Sequence, residues 1–263
     1  MTCALDVNHI YFSYDHFSLV DIDFELHQGE QKALVGLNGS GKTTLFKLML
    51  GLIEPQSGEI HVFERKVVRE NLWAVRQDVG FLFQNPDDQL FAPSVWEDVA
   101  FGPRNQGLSE GEIAERVSWA LEVVGMSDFA NRSVNQMSHG QAKRVALAGI
   151  IAMRPRILFL DEPFTGIDFP MVRGIVNIIE ELRGEGISVL YTTHNRFFLE
   201  NWADSVLVLK QGKAIFDGPV EEALTKQEVI DQIGDWSRLR NDMIVSRERV
   251  RVIGCSSDES GSD

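Results

Sequence analysis

The stretch from Gly36 to Thr44, GLNGSGKTT, has the spacing of a loop that binds phosphate groups. In the pattern Gly-x-x-x-x-Gly-Lys-Thr, glycines let the backbone curl so that successive N–H groups face one oxyanion. A helix that begins at the end of the loop adds the positive end of its dipole. We expect Lys42 to reach the β- and γ-phosphates of a nucleotide and Thr43 to offer its hydroxyl to Mg²⁺. A glycine-rich turn before a helix, without a ligand, is the alternative.

Polar residues follow three apolar runs that have the composition of buried strands. Gln84 comes after VGFLF, Asp161 and Glu162 come after RILFL, and His194 follows the run from Ser188 to Thr193. Ligands of open α/β sheets bind at the carboxyl ends of strands. Asp161 can hold Mg²⁺ through water, and Glu162 can be the general base for an attacking water. Gln84 can bind Mg²⁺ or orient a water, and His194 can donate to a γ-phosphate. A loop glutamine and a structural histidine are the alternatives.

Secondary structure of the right kind surrounds the loop. Lys32 to Val35 forms a short strand that runs directly into it. The helix after it has apolar side chains one turn apart, at Leu45, Leu48, Met49 and Leu52. A strand, a glycine loop and an amphipathic helix are the context that this motif requires, which favours the phosphate-binding interpretation.

The N-terminal segment alternates apolar and polar residues over residues 5–14 and 19–26. This pattern predicts an antiparallel β hairpin or meander. Tyr14 lies at the end of the first run. Its ring could stack on a purine through its π-face, and a half-buried tyrosine of the sheet is an equal alternative.

The segment NPDDQLFAPSVWEDVAFGP, which begins at Asn85, combines proline turns with the aromatic residues Phe91, Trp96 and Phe101. Loops that expose large apolar groups often dock partner proteins. The alternative is that these rings fill a small local core.

Two capping boxes predict helix starts in the segment that follows. Ser109 and Glu112 begin a helix that extends to Val124, and Ser138 and Gln141 begin another. We take residues 86–153 as an inserted helical subdomain. Ser138 with its neighbouring glycine is either an anion site or a structural cap.

Composition excludes several classes of protein. The 263 residues are 44% hydrophobic and 24% charged, and the longest apolar run, Val145 to Met153, is shorter than the ~18 residues that a membrane span needs. The net charge of −14 opposes attraction to nucleic acid, so no nucleic-acid partner is expected. Two cysteines, Cys3 and Cys255, and a start that lacks the features of a signal peptide favour a reducing cytoplasm.

The packed core is expected to end near residue 225. Five arginines follow within residues 238–251, and the last residues, SSDESGSD, are small and acidic. We expect this acidic end to be disordered. The arginines form either a solvated helical face or a contact for a partner.

In this order, the motifs resemble those of an ATP-binding cassette (ABC) ATPase, and the resemblance covers roughly residues 1–225. GLNGSGKT is similar to the first nucleotide motif, SHGQ to the cassette signature and ILFLDE to the second nucleotide motif. The family implies an α/β fold, in which a P-loop NTPase core with a mainly parallel sheet carries an N-terminal antiparallel β subdomain and an inserted α-helical subdomain. Residues 226–263 would then form a C-terminal extension.

The resemblance also implies roles for individual residues. ATP would be bound by Tyr14, Gly36, Asn38, Gly39, Ser40, Gly41, Lys42, Thr43 and Thr44, with Tyr14 stacking on adenine. Mg²⁺ would be held by Thr43, Gln84 and Asp161, and the catalytic residues would be Glu162, His194 and Gln84. The signature, Ser138, His139, Gly140 and Gln141, would complete the ATP site of a second cassette, and Asp168 would belong to the D-loop. His139 stands where the family usually has glycine, which adds a bulky ring near the opposing phosphates.

The segment from Asn85 is similar to the ATPases of energy-coupling-factor importers, particularly the cobalt and nickel branch. The implied protein is a peripheral subunit on the cytoplasmic face of the cell membrane, which pairs with a second cassette copy and contacts integral membrane subunits through about residues 85–103. Its six histidines show no paired ligand spacing, so the selectivity for a metal is expected in the membrane partner. A vitamin importer, a soluble cassette ATPase and a non-catalytic regulator are the alternatives.

Overall fold

The computed structural model describes residues 2–14 and 16–234. Its strands are β1 (Cys3–Tyr14), β2 (Phe17–His27), β3 (Gln31–Val35), β4 (Ser57–Val62), β5 (Arg65–Lys66), β6 (Val79–Leu82), β7 (Ile157–Leu160), β8 (Ser188–Thr192), β9 (Ser205–Lys210) and β10 (Lys213–Pro219). Its α-helices are α1 (Lys42–Met49), α2 (Leu72–Asp78), α3 (Val95–Asn105), α4 (Glu110–Val123), α5 (His139–Ile151), α6 (Phe169–Gly184), α7 (Arg196–Trp202), α8 (Val220–Ala223) and α9 (Gln227–Ile233).

The strands form two sheets. The smaller sheet has the order β2-β1-β4-β5 and is antiparallel, which confirms the predicted N-terminal β subdomain. The larger sheet has the order β10-β9-β3-β8-β7-β6, in which β10 alone among the described strands runs antiparallel to its neighbour. Because β3, β8, β7 and β6 are parallel, the segments that follow them meet at one edge of this sheet.

The larger sheet separates two hydrophobic clusters. Successive side chains of a strand point to opposite faces, so Leu158 and Leu160 lie in one cluster while Ile157 and Phe159 lie in the other. The first cluster contains residues of the helices α3 to α6, and the second contains residues of α1 and of the antiparallel sheet. The fold is that of an α/β protein in which both faces of a mainly parallel sheet are covered.

Both predicted capping boxes are present at helix starts. The Ser109 hydroxyl accepts from Glu112 N at the start of α4, and the Ser138 hydroxyl accepts from Gln141 N at the start of α5. In each box the side chain of the third helical residue returns a bond to the backbone of the serine. Ser138 is therefore a helix cap in this chain.

Helix α1 is shorter than its apolar spacing predicts. Gly51 adopts φ 60°, and Gly51 N and Leu52 N donate to Leu48 O and Lys47 O. This is a Schellman motif, in which a glycine with positive φ ends the helix. Leu52 is consequently 53% exposed, so the prediction that it continues the buried face of the helix is wrong.

Two further expectations differ from the structure. Strand β6 ends at Leu82, one residue earlier than predicted, and the next residue, Phe83, is 37% exposed. The core also continues past residue 225, because α9 packs Val229 and Ile233 into the first hydrophobic cluster. This helix has only seven residues, which are too few for the apolar spacing in the sequence to distinguish a buried helix from a surface turn.

The predicted arginine-rich stretch, residues 238–251, and the acidic end lie outside the described residues. Within residues 2–14 and 16–234, every helix is too short or too polar to traverse a lipid bilayer.

Candidate functional site

The loop from Gly36 to Thr44 connects β3 to α1 at the carboxyl edge of the larger sheet. Lys42 lies in the first turn of α1, and its Nζ donates to Gly36 O at 2.7 Å and to Leu37 O at 3.3 Å. Burial lowers the pKa of Lys42, an effect that the carboxylates of Glu162 and Asp161 oppose. The ammonium group is therefore held inside the curled loop, beside two carboxylates.

The loop is shaped by its glycines. Gly36 has φ 154°, and a Cβ placed on it would lie 2.4 Å from Leu209 O and 2.5 Å from Ser40 Oγ. Among the described residues, Ser40 Oγ is also one of the buried polar side-chain atoms that have no hydrogen-bond partner. A narrow backbone cradle with a spare buried hydroxyl fits a bound phosphate chain.

Asp161 and Glu162 follow β7 and are held by a threonine of the neighbouring strand. Leu160 pairs with Tyr191 in the register of β7 and β8, so the next residues, Asp161 and Thr192, lie side by side. Thr192 Oγ1 donates to Asp161 Oδ1 at 2.7 Å and accepts from Glu162 N at 2.8 Å. One hydroxyl therefore orients both acidic residues.

Asp161 also faces the glycine loop. Thr43 Oγ1 lies 3.5 Å from Asp161 Oδ2 as a donor. Hydroxyl and carboxylate oxygens are the ligands that Mg²⁺ takes in proteins, usually together with water and phosphate. Thr43 and Asp161 therefore fit the two sides of an Mg²⁺-nucleotide site.

The Glu162 carboxylate has two different neighbours. Thr165 Oγ1 donates to Glu162 Oε2 at 3.0 Å, and His194 Nε2 lies 3.1 Å from Glu162 Oε1. The imidazole is not oriented for a hydrogen bond, and no other residue in the described part of the chain donates to the buried Glu162 Oε1. A buried carboxylate oxygen that lacks a donor can accept a proton from a water molecule in the cleft.

These groups surround one cleft of about 750 Å³. The predicted site residues that line it are Tyr14, Asn38, Gly39, Gly41, Lys42, Thr43, Thr44, Gln84, Asp161, Glu162 and His194. Tyr14 is half exposed at the rim, and its ring contacts Phe12 edge-on with centroids 4.7 Å apart. The tertiary structure thus brings together residues that are as far as 180 positions apart in the chain.

The site also contains three residues that were not predicted from the sequence. Phe17 lines the cleft beside Gly41, and Thr165 lines it beside Glu162. Lys143 donates from α5 to the backbone that carries Glu162. Lys143 precedes the apolar run of α5 and stands next to Arg144, so neither Lys143 nor Phe17 has a distinctive sequence context.

The predicted signature residues stand apart from this cleft. Ser138, His139, Gly140 and Gln141 form the start of α5, and none is among the residues that line the cleft. Asp168 caps α6, where it accepts from Met171 N at 3.0 Å. The His139 ring lies against Gly166, since a Cβ on that glycine would be 3.3 Å from His139 Nε2. The ring therefore contacts the segment before Asp168 in its own chain.

Comparison with known families identifies the family to which this chain belongs. A family model described as ABC transporter matches residues 19–165. The chain belongs to the ABC transporter family. The matched residues include the glycine loop, the start of α5 and the acids after β7.

Individual relatives place this cassette ATPase more finely. The energy-coupling factor transporter ATP-binding protein EcfA of Methanosphaera stadtmanae is 44% identical over 236 residues, which cover 88% of this chain and 85% of that protein. EcfA of Methanothermobacter thermautotrophicus is 45% identical over 215 residues, which cover 81% of this chain and 69% of that protein. The cassette is thus an ATP-binding subunit of the energy-coupling factor type, and the ATP-binding proteins of these transporters are ATPases.

A solved structure agrees with the fold. The structure of cbiO1 from Clostridium perfringens, described as part of the ABC transporter complex cbiONQ, superposes with a TM-score of 0.78 at 34% identity. The match covers 92% of this chain and 99% of that one. The ABC nucleotide-binding fold, with its parallel sheet and helical insertion, is therefore shared with that protein.

Proposed function

We propose that this ATPase powers the import of a transition-metal ion, cobalt or nickel, by coupling ATP hydrolysis to integral membrane subunits. One observation supports the coupling most directly. Phe83 lines an apolar groove on the surface, and the next residue, Gln84, lines the nucleotide cleft. A partner that fills the groove would therefore be linked to the cleft through a single peptide unit.

In the proposed reaction, Lys42 and the backbone of residues 36–44 bind the phosphates, and Tyr14 stacks on the adenine. Thr43, Asp161 and Gln84 would hold Mg²⁺, which would neutralise charge at the phosphate oxygens. Glu162 accepts the proton of the attacking water through its free Oε1. His194, beside that oxygen, donates a hydrogen bond toward the terminal phosphate.

We further propose that two copies pair head to tail. Ser138 and His139, at the start of α5, are exposed, and none of the residues from Ser138 to Gln141 lines the cleft of its own chain. A helix N-terminus attracts anions, so this end of α5 is suited to the phosphates held by a second cassette. Asp168 would lie at the junction between the two copies.

The groove has the chemistry of a protein-docking site. It measures about 520 Å³ and its aromatic lining residues are Trp73, Phe81, Phe83, Phe91 and Phe101. Phe91 and Phe101 are 64% and 48% exposed, and their rings contact each other edge-on. Trp96, by contrast, is half-buried and packs against the first hydrophobic cluster, so for this ring the alternative of core packing holds. Large exposed aromatic clusters mark interaction sites, and this one includes part of the predicted contact segment, residues 85–103.

Changing Phe91 and Phe101 to alanine tests the docking role. We expect at least ~30-fold weaker association with the membrane subunits, since aromatic anchors of an interface contribute ~2 kcal/mol or more each. ATP binding by the isolated cassette should stay unchanged, because neither ring lines the cleft. Co-purification from detergent-solubilised membranes measures the association.

Tyr11→Ala provides a matched control. Tyr11 is 38% exposed on β1 of the antiparallel sheet and lies outside the groove. Normal assembly of the Phe91 and Phe101 variant would contradict the docking role, and absence of any membrane protein with the wild-type chain would favour a cassette ATPase that acts outside transport.

The transported substrate requires an uptake assay. In cells that produce the ATPase together with its co-purifying membrane proteins, we expect ATP-dependent accumulation of radioactive cobalt or nickel. Lys42→Ala should abolish accumulation of the ion. Uptake of biotin or another vitamin, without uptake of either ion, would overturn the metal assignment and support the related class of vitamin importers.

A further inference from the structure

Lys143 is a buried cation that the proposed reaction does not use. It lies on α5, two residues after Gln141, and its side chain is fully buried at 0% exposure. Its Nζ donates to Glu162 O at 3.0 Å and to Thr165 O at 3.1 Å. The lysine therefore connects the helix that begins with the signature to both ends of the turn that carries Glu162.

This turn has a backbone that needs external support. Glu162 adopts φ 47°, a left-handed conformation that is costly for a residue with a side chain. Inside the turn, Thr165 N donates to Glu162 O at 3.2 Å, and Thr165 Oγ1 donates to the Glu162 carboxylate. Thr192 holds Glu162 N from β8. From α5, Lys143 Nζ holds the other side of the same residue by donating to Glu162 O.

A second contact joins α5 to the same segment. The His139 ring, in the first turn of α5, lies against Gly166, which directly follows Thr165. Gly166 has φ 78° and no side chain, which leaves room for the imidazole. Helix α5 therefore touches the segment from Glu162 to Gly166 through both His139 and Lys143.

The charge of Lys143 is not needed for packing. Burial lowers its pKa to about 8, an effect that the nearby carboxylates of Glu162 and Asp161 oppose. Desolvation of a charged group is costly, and apolar residues of similar volume often replace buried charges without loss of stability. An ammonium group at this position is thus better explained by the two carbonyl oxygens that it orients than by the stability of the core.

We propose that Lys143 is a positioning residue for hydrolysis, which fixes the turn from Glu162 to Thr165 so that the Glu162 carboxylate faces the attacking water. The inference rests on the proposed role of Glu162 as general base. Because Lys143 and the signature share one helix, a displacement of the start of α5 by a second cassette is transmitted to the backbone of Glu162. The signature of each copy is in this way mechanically linked to the base in the same copy.

Lys143→Met tests the inference, since methionine keeps most of the length and removes every donor. We expect kcat for ATP to fall roughly 10- to 100-fold, because small misplacements of a reacting group carry losses of that order. KM and the affinity for ATP should remain within about threefold, and the thermal midpoint within about 5 °C. Lys143→Arg retains donors and should recover most of the lost turnover. Lys213→Met, at an exposed lysine of β10, is the matched control and should match wild type.

A double-mutant comparison separates positioning from general damage. In a Glu162→Gln background, Lys143→Met should lower turnover no further, since the group that it positions is already absent. If the methionine variant does not fold, Lys143→Gln takes its place, because the shorter amide cannot reach both carbonyl oxygens and should show the same loss of kcat.

The outcomes are distinguishable. Normal kcat in folded Lys143→Met, together with an inactive Glu162→Gln, would overturn the role of Lys143 and leave that of Glu162 intact. A fall in ATP affinity equal to the fall in kcat, or a loss that arginine does not relieve, would also overturn it. Wild-type turnover in Glu162→Gln would instead refute the general base on which the inference rests.

Discussion

We expect Glu162→Gln to lower ATP turnover by ~10²- to 10⁴-fold, the contribution of a general base, while ATP binding persists. Glutamine has nearly the same shape and its amide can keep a bond with Thr165 Oγ1, which donates to Glu162 Oε2 at 3.0 Å. It lacks the basic carboxylate oxygen that lies 3.1 Å from His194 Nε2 and that is buried without a hydrogen-bond partner among the described residues. Because ATP is bound but not consumed, the variant should accumulate as a nucleotide-bound dimer.

The measurement combines steady-state phosphate release with size-exclusion chromatography in the presence of Mg²⁺ and ATP. Thr165→Val is a useful comparison, since it removes one hydrogen bond to the carboxylate and leaves the base in place. Its loss of turnover should be much smaller than that of Glu162→Gln. Unchanged hydrolysis by Glu162→Gln would exclude Glu162 as the base, whatever its effect on the dimer.

We expect Lys42→Ala to abolish tight ATP binding. The ammonium group is held by Gly36 O and Leu37 O inside the loop, where it is positioned for the negative charges of a triphosphate. Removing one partner of a buried charge pair costs ~2–5 kcal/mol, which corresponds to a dissociation constant roughly 30- to 5,000-fold higher. The same change leaves two loop carbonyl oxygens without that donor, so the curled loop itself should also loosen.

Lys47→Ala is the matched control for this result, because Lys47 lies on the same helix and is exposed. Isothermal titration calorimetry of both variants with ATP and Mg²⁺ measures the difference. Lys47→Ala should bind ATP as wild type does, and intact affinity in Lys42→Ala would refute the role of the glycine loop.

The proposed docking groove and the nucleotide cleft lie next to each other at the end of β6. The groove residues Phe81 and Phe83 are three peptide bonds and one peptide bond, respectively, from the cleft residue Gln84. Since β6 is an edge strand of the larger sheet, this segment is accessible to a partner on one side and to the nucleotide on the other. An edge position thus explains how one short segment can serve both surfaces.

The sequence by itself determined the features that depend on near neighbours in the chain. The glycine loop between a strand and a helix, the capping boxes at Ser109 and Ser138 and the N-terminal hairpin follow from local spacing and turn chemistry. The placement of Gln84, Asp161, Glu162 and His194 at one edge was also predictable. Each follows an apolar strand, and parallel strands end on the same side.

The tertiary structure alone decided which side chains are covered and what they contact. Trp96 is half-buried while Phe91 and Phe101 are exposed, although all three lie in one segment of similar composition. Helix α9 joins the core through contacts that its short apolar pattern does not reveal. Burial depends on residues distant in the chain, so local periodicity cannot assign it.

The contacts that hold Asp161 and Glu162 in place also come from residues distant in the chain. Thr192 reaches Asp161 and Glu162 only because β8 lies beside β7 in a particular register, and Lys143 reaches Glu162 O only because α5 packs against that turn. The sequence contains the reactive groups and their order. Strand register and helix packing determine which hydroxyl and which ammonium group hold them, since both arise from contacts across 19 to 31 residues of chain.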